Sequence, residues 1–155
     1  MAATTINQVI DYVITTYDGV IVGQNWGEKG LFYNPENLFP KGIYLLSFKE
    51  KDGPNDSASK VNRPGVYRLN LGIARPTFIR LFGAIPARPA AGGVVSTGHN
   101  FQQLDRIMPH PVYGWMAWIG VLSPSPGTFE TLKPLINEGY QLAVKKFQNR
   151  AKKLA

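Results

Sequence analysis

The chain carries two histidines, His99 and His110, and no cysteine, so any chemistry it performs rests on imidazole, carboxylate, guanidinium, amide and phenol groups. His110 lies in PHPVYGWM (109–116), held between two prolines. Imidazole titrates near ~6.5 and can give or take a proton. Pro111 biases the residue before it towards extended backbone, so the His110 ring is expected to project from the mouth of a sheet. Its expected companions are Arg68 and Asn70, which alternate with Leu69 and Leu71 in VYRLNLGI (66–73) and so share one face of a strand. With Arg68 as anion anchor and His110 as acid or base, such a site would suit cofactor-independent proton transfer, as in a lyase, isomerase or cyclase. Trp26, Tyr113, Trp115 or Trp118, with Asn70 as a polar contact, would line a ligand pocket of the usual mixed kind. A buried guanidinium needs a partner, which Glu28, Asp105 or an anionic group of a ligand could supply. A packed core with one internal salt bridge accounts for the same residues nearly as well. Whether the chain is an enzyme at all stays open at this level.

A metal site is the other chemistry to weigh. His99, Asp105 and His110 bring both histidines near one carboxylate, the composition of a facial metal site. Their spacing follows no metal-binding pattern, and neither metal nor cofactor is expected. The sequence also has no Gly-x-Ser-x-Gly elbow, no phosphate-binding loop and no Gly-x-Gly-x-x-Gly.

Charge offers a competing function. The formal net charge is +7, and Lys145, Lys146, Arg150, Lys152 and Lys153 crowd the last eleven residues, 145–155. This basic helix end could meet nucleic acid or a partner protein in a non-enzymatic interaction module. Phe147 is the only aromatic among these cations and fits a core position, so nucleic acid is disfavoured. The favoured partner is a small anionic or aromatic molecule. MAATTINQVIDYVITTYDG lacks a basic start and a continuous apolar run, and no stretch approaches the ~18 apolar residues of a spanning helix. A cytoplasmic protein with no membrane partner is therefore expected.

The elements that must position these groups follow from periodicity. Ile6, Val9, Ile10, Val13, Ile14 and Tyr17 recur at helical spacing, with Thr4 or Thr5 as N-cap. VIVGQNW and LFY around a GEKG turn read as a hairpin, IYLLSFKE (43–50) as a third strand and VYRLNLGI as a fourth. KDGPNDSASKVNRPG (51–65) is too rich in turn residues to form an element. PTFIRLFG (76–83) and FQQLDRI (101–107) read as short helices. Residues 84–100, small and without a period, read as a flexible loop that could serve as a lid. VYGWMAWIGVL (112–122) is apolar at both parities, the pattern of a strand covered on both faces. SPSPGTFETLKPLINEGYQLAVKKFQNRAKK (123–153) reads as a closing helix whose main segment is expected to begin at Pro134, with Leu135, Ile136, Tyr140, Ala143, Val144 and Phe147 inward. The sum is one α+β domain over 1–155, a mostly antiparallel sheet with N- and C-terminal helices packed on it.

RPGVYRLN (63–70), TFIRLFG, PHPVYGWM and TFETLKPLINEGYQLA together resemble a bacterial and fungal domain family without an assigned function, over Gly19 to Ala143. More remotely, the order of elements is similar to the YjbR/MmcQ type, small domains with a double-wing, frataxin-like sheet. That group shows a Leu-Asn-Leu-Lys strand and an aromatic-x-Leu step in its last helix. Here Gly72 stands in place of the lysine, while Tyr140-Gln141-Leu142 agrees with the pattern. The group's adjacent His and Trp are five positions apart here, as His110 and Trp115. The resemblance implies a fold and no activity.

Overall fold

The computed structural model describes residues 2–25 and 27–154. Trp26, one of the expected pocket walls, lies outside the described residues. The first helix, α1 (Ile6–Thr16), starts where the sequence places it: Thr5 accepts from the backbone of Gln8 while the Gln8 side chain accepts from the backbone of Thr5, a reciprocal capping box. Strands β1 (Val20–Asn25) and β2 (Glu28–Tyr33) form the hairpin, followed by β3 (Ile43–Lys49) and β4 (Arg68–Gly72). Then come α2 (Arg75–Phe82), a two-residue β5 (Met108–Pro109), β6 (Trp118–Leu122) and α3 (Pro126–Lys152). The six strands pair antiparallel in the order β1-β2-β3-β4-β6-β5, giving the α+β domain with its terminal helices on the sheet.

Register sorts the side chains into two faces. Leu46 pairs with Leu71, Phe48 with Leu69, Leu69 with Val121 and Leu71 with Ile119, and all of them are buried against Val9, Val13, Leu132 and Ile136 of α1 and α3. Burial of this apolar face is the main driving force of the fold. α3 comes close because Gly139 has no side chain: a Cβ there would stand 2.9 Å from the Gly72 carbonyl and 3.0 Å from Leu71. The opposite face carries the rows Ser47–Asn70–Gly120 and Lys49–Arg68–Leu122, which are polar in the middle of a sheet.

Three expected elements take another form. VYGWMAWIGVL is a strand only from Trp118. Gly114–Met116 makes a single 3-10 turn, tied by Gly114 N donating to the His110 carbonyl, and Ala117 leaves it in the left-handed conformation at φ 63°. Apolar residues at both parities suit a packed turn as well as a strand, so periodicity alone could not separate them. FQQLDRI forms no helix: Leu104 bridges in parallel to Leu122, and Asp105, at φ 58°, donates its N–H to the Leu122 carbonyl. Strand pairing takes up the groups a helix would have used, and β5 follows directly at Met108–Pro109. The closing helix begins eight residues before Pro134, capped by Ser125, and Pro134 sits inside it. Pro134 is on the exposed side, where water can meet the Glu130 carbonyl that loses its N–H partner. Residues 84–100 form no helix or strand, but Val95 is buried and its N–H donates to the Pro111 carbonyl at 2.8 Å. This segment braces the turn after His110.

Candidate functional site

The polar face of the sheet becomes a site because glycines beside it let large side chains lie flat. A Cβ on Gly120 would stand 3.1 Å from Arg68 Cδ, and one on Gly72 3.0 Å from the Trp118 indole. The Arg68 stem therefore crosses Gly120 and the Trp118 ring covers Gly72. Gly72 thus seats an aromatic wall.

Arg68 is only 2% exposed. Its partner is neither Glu28 nor Asp105 but Asp56, which reaches in from the loop between β3 and β4. Nη1 donates to Asp56 Oδ1 and to Ser59 Oγ, both at 2.9 Å, Nη2 donates to Asp56 Oδ2, and Nε donates to Asn70 Oδ1 at 2.6 Å. Four of the five guanidinium N–H groups therefore end on oxygen atoms within the chain, in the bidentate arrangement that suits arginine and carboxylate. Further hydrogen bonds hold this loop in place. Asp52 accepts from Val61 N and its own N–H donates to Asn62, while Arg63 binds the Ser59 and Gln102 carbonyls. Lys49, 7% exposed, stands 3.5 Å from Glu28 and 3.9 Å from Asp56.

His110 is 3% exposed and its ring is held from both sides. Nδ1 accepts the backbone N–H groups of Val112 at 3.1 Å and Tyr113 at 3.0 Å, and Nε2 lies 3.0 Å from Arg68 Nη2. Burial, then the charges of Arg68 and Lys49, hold its pKa well below the ordinary histidine range, so the ring is neutral at pH 7.

These groups line one cleft of about 570 Å³. Ser47, Lys49, Arg68, Asn70 and His110 form its floor, Tyr44, Tyr113, Met116 and Trp118 its apolar walls, and Pro54 to Asp56 its rim. Tyr44 and Trp118 meet edge to face with centroids 6.4 Å apart, and Tyr113 and Met116 are each 49% exposed. The fold thus brings Arg68, Asn70, His110 and Tyr113 together. Trp115 is not a lining residue; its ring lies under the Arg88 guanidinium at 4.7 Å. The His99, Asp105 and His110 set is divided among separate duties: His99 pairs with Thr97, and Asp105 accepts from Ser125 N. Among the described residues no group of three His, Asp or Glu side chains is placed to hold a metal ion.

Sequence reasoning missed Asp56, Ser59, Ser47 and Lys49. Ser47 and Lys49 were readable, since they alternate with Leu46 and Phe48 in an otherwise apolar strand. Asp56 and Ser59 left no signal, because a loop has no period.

A family model described as a family of unknown function, DUF6194, matches residues 4–152. The chain belongs to this family. Searches of the curated proteins and of the solved structures found no match. The DUF6194 match spans every helix and strand described above, the cleft included. No helix among the described residues is long and apolar enough to cross a membrane.

Proposed function

We propose that this DUF6194 protein binds a small molecule in the cleft over Ser47, Asn70 and His110. The observation that carries the reading is the lining itself, a buried polar floor under four apolar or aromatic side chains in a volume within the usual range for ligand sites. Binding is better supported than turnover. A general base needs a free lone pair within reach of its proton, and on His110 one ring nitrogen already accepts two backbone N–H groups while the other faces a cation. Arg68 likewise spends four of its donors on the chain's own oxygens, so its first role is to hold Asp56, Ser59 and Asn70 in place.

The test is a fragment screen by NMR on the intact protein, read at the Met116 methyl and the Trp118 indole N–H. Fragments that shift both signals saturably support the reading. A diverse library that leaves both unmoved, or shifts only residues outside the cleft, refutes it.

The competing reading, a basic surface meeting nucleic acid or protein, draws support from Lys145, Lys146, Lys152 and Lys153, all exposed on α3 or at its end. It has no exposed aromatic to stack a base: Phe147 is buried, and Arg150 lies over the Phe39 ring at 5.3 Å. The frataxin-like, YjbR/MmcQ comparison likewise stands as a proposal, resting on the order of elements and on Tyr140-Gln141-Leu142.

A further inference from the structure

We propose that the ligand of this cleft is a planar monocarboxylate, whose oxygens meet the row of donor side chains on the cleft floor. The proposal rests on the cleft being a binding site and adds the chemical class that it selects.

Donors and acceptors at the floor do not balance. Because His110 Nδ1 accepts two backbone N–H groups, the single hydrogen of the neutral ring belongs on Nε2. Arginine has no acceptor atom, so the 3.0 Å approach of Nε2 to Arg68 Nη2 sets two donors against each other. One hydrogen on each nitrogen is left without an oxygen. Ser47 Oγ accepts from Asn70 Nδ2 at 3.2 Å, and the Ser47 hydroxyl and the Asn70 amide each have one further hydrogen to give. Lys49 Nζ, at 3.5 and 3.9 Å from its carboxylates, is loosely held. All five side chains line the cleft. An entering acceptor with two oxygens would give several of these donors an oxygen partner at once.

Charge decides which acceptor. Lys49 and Arg68 are offset by Glu28 and Asp56, so the surroundings carry no surplus for a doubly charged phosphate. A single carboxylate, with two coplanar oxygens, meets the donor row at lower desolvation cost. Tyr113, Met116 and Trp118 beside it offer flat apolar surface, which selects a conjugated or aromatic body.

The experiment titrates the intact protein with 2-naphthoate, 2-naphthamide and inorganic phosphate by calorimetry, and records the His110 ring nitrogens by long-range ¹⁵N NMR. The expected result is a hydrogen on Nε2 in the free protein, naphthoate binding at least tenfold tighter than naphthamide, and no measurable binding of phosphate. Ser47→Ala is expected to weaken naphthoate several-fold more than naphthamide, and an equal loss for the two counts against the carboxylate assignment. Equal affinity for naphthoate and naphthamide, tighter phosphate binding, or a hydrogen on Nδ1 overturns the carboxylate assignment and leaves the cleft reading standing. If none of the three binds, the carboxylate assignment falls, and the fragment screen alone decides whether the cleft reading falls with it.

Discussion

Replacing Asp56 by Asn keeps the shape of the side chain and removes the carboxylate that bonds Arg68. The guanidinium, 2% exposed, would keep Ser59 and Asn70 but no counter-charge. Breaking a buried pair from one side in this way costs about 3–5 kcal/mol. The reverse change is milder. Arg68→Met retains apolar atoms over Gly120 and leaves Asp56, whose side chain is 17% exposed and has Lys49 at 3.9 Å, with a cation and some water. A cost of about 2 kcal/mol is expected for it, at the low end of partner loss at a buried pair. The double variant removes both charges, and a total of about 2–3 kcal/mol is expected, since an apolar replacement of a buried pair is often near neutral. The coupling is then about −3 kcal/mol, well outside ordinary additivity. Urea unfolding followed by circular dichroism reads each term from the midpoint at constant slope. The 3–5 kcal/mol expected for Asp56→Asn corresponds to a fall in Tm of roughly 6–20 °C at this size. A loss below about 1 kcal/mol, or strict additivity, would mean that the pair behaves like a surface ion pair and would refute the account of the buried hub.

Stability should also fall on mild acidification. The pKa of His110 is depressed in the fold, so the unfolded chain takes up a proton near ~6.5 that the folded chain refuses, and stability present above that pH is lost below it. One such group contributes a slope approaching about 1.4 kcal/mol per pH unit; unfolding curves between pH 7.5 and 5.5 should show it in the native protein and not in His110→Gln, and identical slopes would contradict it. Gly139→Ala should destabilise by about 1–3 kcal/mol despite the better helix propensity of alanine, because its Cβ meets the Gly72 carbonyl; a gain in Tm would show that α3 can shift. Ser125→Ala removes the side-chain acceptor for Thr128 N and should cost about 1 kcal/mol in the same measurement.

The faces of the sheet were legible because a strand displays its neighbours at a period of two. Leu69 and Leu71 against Arg68 and Asn70 identify an apolar side and a polar side, and Ile6 to Val13 name the helix that covers the first. The same rule misread VYGWMAWIGVL, where composition is apolar throughout and only the hydrogen bond from Gly114 to His110 separates turn from strand. The late start expected for α3 has a similar cause. Proline usually opens a helix, and only an exposed setting lets Pro134 sit inside one.

What the sequence determined by itself is therefore the α+β class, the capped first helix, the strand that carries Arg68 and Asn70, and His110 as a residue placed by prolines. What only the tertiary structure decided is what those groups do. Asp56 lies twelve residues from Arg68 and His110 forty-two, with no periodicity linking them, and they meet because β6 pairs with β4 while the loop after β3 folds over the sheet. Local pattern records which way a side chain points, whereas the partners it finds depend on long-range closure of the chain. That closure paired Arg68 within the chain and set the His110 ring between two backbone N–H groups and the guanidinium.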